Sequence, residues 1–79
     1  MIMFLEITEA EYVDGYRLRV VFNDGIVKEM DFTDVVRKYP VFKPLQNVDS
    51  FRKFNVTDTL EWEDGAIDIA PEYVYEHGV

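Results

Sequence analysis

The sequence predicts an α+β fold, a small domain of antiparallel β-hairpins with two or three short helices. Three observations carry that prediction. The stretch Tyr16 to Phe32, YRLRVVFNDGIVKEMDF, places apolar-rich strands on either side of Asn23-Asp24-Gly25, and NVTDTLEWEDGAIDIA repeats the arrangement around Asp64-Gly65. The segments between and after these hairpins carry helix starts and proline stops only a turn or two apart.

Taken in order, the opening MIMFLEITEAEYV alternates with Met3, Leu5 and Ile7 on one side, as in a half-buried strand. The apolar parity then moves to Ala10 and Tyr12, which predicts a bulge near Thr8 or Glu9 before the Asp14-Gly15 turn. This strand is expected to pair with Tyr16 to Phe22 and to leave its outer edge free. The register of the next hairpin follows from side chains, because residues opposite each other on paired strands share a face. Pairing Phe22 with Ile26 sets Leu18 against Met30 and Tyr16 against Phe32; the other face then pairs Val21 with Val27, Arg19 with Glu29 and Arg17 with Asp31. A loop one residue shorter would oppose Leu18 to Asp31, so a three-residue loop with Gly25 left-handed is preferred.

In TDVVRKYP, Thr33 is read as the N-cap and Asp34 as a first-turn acid, with Val35, Val36 and Tyr39 facing inward until Pro40 ends the helix. VFKPLQNV reads as an irregular connection whose Phe42 and Leu45 plug the sheet. VDSFRKF reads as a further helical turn, with Asp49 as its cap. A two-residue loop at Asp64-Gly65 sets Trp62 against Ile67, Leu60 against Ile69, and Glu61 against Asp68. Pro71 suits the first position of a last helix, PEYVYEH, with Gly78 as its stop.

Composition bounds the function. At 79 residues the chain reads as one domain, 1–79, close to the size at which a single core only just suffices. Hydrophobic residues form 48% of it, a globular rather than disordered balance. It has no cysteine, so a disulfide framework and a thiolate metal site are both excluded. No apolar run approaches the roughly 18 residues of a spanning helix, and the acidic start lacks the basic region of a signal peptide. A cytoplasmic address without membrane association is the expectation.

The net charge of −8 is unevenly spread. Residues 1–36 hold eight acidic and three basic side chains, residues 37–53 one acidic and five basic, and residues 54–79 seven acidic and none basic. Such a surface repels a phosphate backbone, which disfavours nucleic acid as a partner of the whole domain. The middle segment is the exception, because Arg37, Lys38, Lys43, Arg52 and Lys53 interleave with Tyr39, Phe42, Phe51 and Phe54, a mixture used for single strands. The competing reading, which we favour, is that those aromatics are core and those cations sit at helix ends and neutralise nearby acid.

Searches for chemistry find little. A calcium-loop alignment on Gly65 puts Leu60 and Trp62 at ligand positions and Pro71 at the last, and none of these can ligate. A looser cation site at Glu61 and Asp68 competes with a solvated strand face. His77 is the only histidine and lies in the final turn, where helix capping accounts for it. Ser50 is the only serine, and the chain has no Gly-rich phosphate loop or paired-histidine spacing. The expectation is no enzyme, no catalytic residue, no metal and no cofactor.

Taken together, YRLRVVFNDGIVKEMDF, VFKPLQNVDSFRKFNV and LEWEDGAIDIAPEYVYE resemble the bacterial family known as domain of unknown function 2442. The matching positions are Phe22, Asp24, Gly25, Asp31, Phe32, Phe42, Leu45, Phe51, Trp62, Gly65, Asp68, Ile69, Pro71 and Tyr75. Glu63-Asp64 departs from the pattern, where a less acidic pair is usual, and adds negative charge at any shared surface. The resemblance implies an α+β domain of hairpins and short helices. It also implies that some relatives continue into a helix-turn-helix, and that others are encoded beside a small protein of domain of unknown function 4160, in a layout similar to toxin and antitoxin pairs.

The functional expectation is a non-enzymatic interaction module, similar to an antitoxin or accessory subunit. It would bind a small basic protein through Glu61, Glu63, Asp64 and Asp68, since a −7 segment attracts opposite charge at long range. The alternatives are a nucleic-acid-associated module using Arg37, Lys43, Arg52 and Lys53, and an acidic face kept for solubility. A homodimer formed across the free edge of the first strand is a further expectation.

Overall fold

Strand β2 (Arg17–Phe22) lies at the centre of an antiparallel sheet, between β1 (Ile7–Asp14) and β3 (Val27–Asp31), in a computed structural model that describes residues 4–79. The register of β2 and β3 is the one the side chains dictate: Arg17 opposes Asp31, Leu18 Met30, Arg19 Glu29 and Val21 Val27. The Phe22 amide donates to the Ile26 carbonyl at 2.9 Å, and Gly25 adopts φ 87°. Asp24 closes the turn by accepting from the Ile26 amide at 2.9 Å. Leu18, Val20, Phe22 and Met30 are buried, so one face of the pleat is committed to the core.

Strand β1 bulges between Ile7 and Glu9, as its parity change predicts, and shifts again between Tyr12 and Asp14. Met3, part of the expected alternation, lies outside the described residues. Asn23 extends the pairing upstream: its side chain accepts from the Glu6 amide at 3.0 Å and donates to the Phe4 carbonyl at 2.7 Å. The expected free edge of β1 needs correction at this end. The Ile7 amide donates to the Asp58 carbonyl at 2.9 Å, and strand β4 (Asn55–Val56) lies alongside.

Helix α1 (Thr33–Lys38) is capped differently from the sequence reading. Thr33 is its first helical residue, and the Asp31 carboxylate accepts from both the Thr33 amide (2.9 Å) and the Thr33 hydroxyl (2.5 Å). The intervening Phe32 is fully buried and has no side-chain oxygen, so capping passes back to the last residue of β3. Val35 and Val36 are buried, but Tyr39 is 39% exposed. Pro40 forces its predecessor out of the helical region, and Tyr39 sits extended at φ −101°, ψ 118°, off the inward stripe.

The connection expected to be irregular is a 3₁₀ helix, Pro40–Gln46. Its three-residue period puts Phe42 and Leu45 on one face, and both are buried. Helix α2 (Val48–Phe51) is capped by Asn47, not Asp49: Asn47 Oδ1 accepts from the Asp49 amide at 2.9 Å.

A second antiparallel sheet runs β4, β5 (Leu60–Trp62), β6 (Ile67–Ile69), and the two-residue β4 is a strand beyond those the sequence predicts. Leu60 opposes Ile69, Glu61 Asp68 and Trp62 Ile67, the predicted register. Helix α3 (Pro71–His77) starts at Pro71 and ends at Gly78 as expected. Gly78 is not left-handed, with φ −76°; a Cβ there would meet Lys28 Cβ and the Val74 carbonyl at 2.9 Å each, so close packing on β3 selects glycine.

Both sheets and all three helices supply one hydrophobic cluster. Trp62 is its junction: the indole stacks on Phe51 (centroids 5.9 Å apart), meets Phe32 and Phe42 edge-on, and donates Nε1–H to the Phe51 carbonyl at 2.8 Å. The Tyr75 hydroxyl donates to Asp24 at 2.8 Å, fastening α3 to the first hairpin turn. Among the described residues no helix is long and apolar enough to cross a membrane.

Candidate interaction surface

The second hairpin buries alternate residues, and that decides where its acids go. Leu60, Trp62, Ile67 and Ile69 enter the core, so Glu61 and Asp68 must share the outer face. Glu61 is half-buried and Asp68 exposed. They are register partners, an arrangement of like charges that costs a few tenths of a kcal/mol.

Between them the chain turns through Glu63, Asp64, Gly65 and Ala66, with the expected Asp64-Gly65 pair at the tip and the expected register, while the ladder stops at Trp62 and Ile67. Glu63 (φ 54°), Asp64 (φ 56°) and Gly65 (φ 88°) are left-handed in succession. The Gly65 amide donates to the Trp62 carbonyl at 3.2 Å, and the Ala66 amide to the Glu63 carbonyl at 3.1 Å. Left-handed backbone is tolerated by aspartate better than by glutamate, and each non-glycine residue there costs about 1 kcal/mol. The turn exposes both Glu63 and Asp64, while the Glu61 carboxylate lies over Gly65, 3.8 Å from where a Cβ would stand. Glu61, Glu63 and Asp64 therefore gather at the turn, and Asp68 lies further along β6.

Ion pairing distinguishes these acids from Glu11, Asp14 and Glu29 of the first sheet. Among the described residues, the ion pairs involve Arg17 with Asp14 and Glu29, and Arg19 with Glu11 and Glu29. None reaches Glu61, Glu63, Asp64 or Asp68. Nor, among the described residues, do Arg37, Lys38, Lys43, Arg52 and Lys53 form ion pairs, so they neutralise no carboxylate by direct contact. Arg37 and Lys38 do occupy the last turn of α1, and Arg52 lies over the Tyr12 ring at 4.7 Å.

The middle segment's aromatics are mostly structural. Phe42 and Phe51 are buried, Phe54 is half-buried against the core, and Tyr39 is the exposed member. A run of stacking platforms for nucleic-acid bases is absent from this segment as described. His77 stacks on Tyr73 (centroids 4.0 Å apart) and its Nδ1 meets the Tyr73 carbonyl at 2.9 Å, a local helix-end contact. No group of three or more potential metal ligands forms among the described residues.

Two grooves lie elsewhere on the described surface, one of them reaching Asp68. One, of about 550 Å³, runs between β1, β2 and β4, where Glu9, Glu11 and Arg19 meet Val21 and Val56. The other, of about 300 Å³, lies between α1, the 3₁₀ helix, β6 and α3, and sequence reasoning missed both. Its lining includes Tyr39, Tyr73 and Asp68.

The fold and surface define a small α+β domain with a charged hairpin whose acids have no ion-pair partner among the described residues. The chain belongs to the family described as protein of unknown function (DUF2442), whose model matches residues 7–79. It is also similar to a crystal structure from Nitrosomonas europaea ATCC 19718, of a protein described as a candidate DNA-binding protein, with TM-score 0.78 and 28% identity. That similarity covers 94% of this chain and 48% of the other, so this chain spans about half the length of that protein. No curated protein matches.

Proposed function

We propose that this domain is a non-catalytic protein-interaction module that binds a basic protein partner through Glu61, Glu63, Asp64 and Asp68. The observation that carries the reading is the contrast in pairing: four carboxylates project from one hairpin without an ion-pair partner among the described residues. Unpaired surface charge of one sign steers an oppositely charged partner and sets its orientation. The role is cytoplasmic and similar to that of an antitoxin or accessory subunit. Mass spectrometry of proteins that co-purify with the tagged chain, expressed at native level in its own host, tests it. A stoichiometric small basic protein, released as salt is raised, is the expected result; recovery of the chain alone would contradict it.

A second reading has its own support in the similarity to a protein described as a candidate DNA-binding protein. In it, Arg37, Lys43, Arg52 and Lys53 contact a phosphate backbone, within an assembly larger than this domain. Retarded mobility of DNA or RNA probes at low salt would favour it, and unchanged mobility would remove it.

A further inference from the structure

The groove between α1 and β6 combines three kinds of lining that together select one kind of ligand. Val35, Phe42 and Ile69, all nearly buried, give it an aliphatic and aromatic floor. Tyr39 and Tyr73 supply partly exposed rings, with Lys38 Nζ 5.7 Å from the Tyr39 centroid and His77 stacked on one face of Tyr73, and Asp68 supplies a carboxylate. Burial first, then the neighbouring Tyr39, raise the Tyr73 hydroxyl above its ordinary pKa.

A purely apolar occupant would cover Asp68 and leave its charge desolvated and unpaired, at a cost. An anionic occupant would be repelled by Asp68. A long cationic side chain satisfies all three parts, because its methylene stem covers the apolar floor while its head meets aromatic rings and carboxylate. Arginine fits better than lysine, since its planar guanidinium stacks on tyrosine and pairs with a carboxylate in a fork.

We propose that this groove receives an arginine side chain of the basic protein partner, its stem on Val35, Phe42 and Ile69 and its guanidinium against the tyrosine rings and Asp68. The inference rests on the partner reading above, and Asp68 joins the two, since it belongs both to the acidic hairpin and to the groove. The hairpin attracts the partner at long range, and the groove reads one side chain at contact.

The test is titration of the isotope-labelled full chain with three blocked tripeptides, Gly-Arg-Gly, Gly-Lys-Gly and Gly-norleucine-Gly, followed by amide chemical shifts. Expected are saturable shifts at Tyr39, Phe42, Ile69 and Tyr73, with the arginine peptide binding about threefold or more tighter than either of the others. Tyr39→Ala and Asp68→Asn should each weaken the arginine peptide about threefold or more. Both side chains are exposed, so an unchanged spectral dispersion will show that each variant is folded. Equal binding of norleucine overturns the proposal. So do shifts centred on Glu61, Glu63 and Asp64 that are the same for arginine and lysine and indifferent to Tyr39→Ala. That last pattern leaves the acidic hairpin as an interface, whereas failure of the partner capture alone, with groove shifts intact, removes the hairpin reading and keeps the groove.

Discussion

On the first sheet Arg17 sits between Asp14 and Glu29, and Arg19 between Glu11 and Glu29; on the second, Glu61 and Asp68 face each other with no cation in ion-pair reach among the described residues. Both sheets are three-stranded and antiparallel, and both bury one face in the same cluster. Register in each is decided by that buried face, which leaves the outer face free of folding constraint. The first sheet uses the freedom for cross-strand pairing. The second keeps a mild repulsion, which folding does not require and recognition can use.

The largest expected effect comes from breaking what the two sheets share. Trp62→Ala removes the indole that stacks on Phe51 and leaves the Phe51 carbonyl without its donor, at a cost of about 3–5 kcal/mol. That is a large part of the stability of a small domain, about 5–15 kcal/mol. Chemical denaturation followed by circular dichroism should show both sheets lost together; a folded remnant of the first sheet would mean that the cores are separable.

A smaller effect concerns the end of the first sheet. The Thr33 hydroxyl, then the Thr33 amide, hold the Asp31 carboxyl below its ordinary value of 3.8. The folded chain therefore binds fewer protons than the unfolded chain in that range. The associated stability is fully present above the ordinary value and is lost as pH falls through the lowered one. Asp31→Ala should cost about 1 kcal/mol at neutral pH and flatten the acid limb of a stability profile measured by urea denaturation. An unchanged acid limb would assign that limb to other carboxylates.

The smallest effects separate the two outer faces most sharply. Glu29→Gln, which removes a carboxylate shared by two arginines, should lose about 0.2–1 kcal/mol. Glu61→Gln should be neutral or gain a few tenths of a kcal/mol by removing repulsion from Asp68. Paired denaturation curves at low salt check the signs, and a destabilising Glu61→Gln would mean that this carboxylate serves the fold.

Much of this contrast was legible in the sequence, because it depends on the period-2 pattern and on turn chemistry. Pairing Leu18 with Met30 and Leu60 with Ile69 was enough to place Arg19 against Glu29 and Glu61 against Asp68. The family was legible from the order of its motif positions, and Asp24 and Tyr75, two of those positions, prove to be hydrogen-bond partners 51 residues apart. Elements with no period were not legible. Strand β4 has two residues, too few to alternate, and the 3₁₀ helix hides its three-residue spacing behind Pro40 and Pro44. Caps were misplaced by two residues where Asp31 and Asn47 act from outside the helix they serve. The groove lay beyond sequence reasoning, because Tyr39, Asp68 and Tyr73 come from three separate elements.

The most direct test of the account is capture of partners from the native host by three forms of the tagged chain: unaltered, Glu61→Lys with Asp68→Lys, and Glu9→Lys with Glu11→Lys on the first sheet. The account predicts a stoichiometric basic protein with the first and third forms, and its loss with the second while the fold is kept. Equal capture by all three, or loss only with the first-sheet variant, would contradict it.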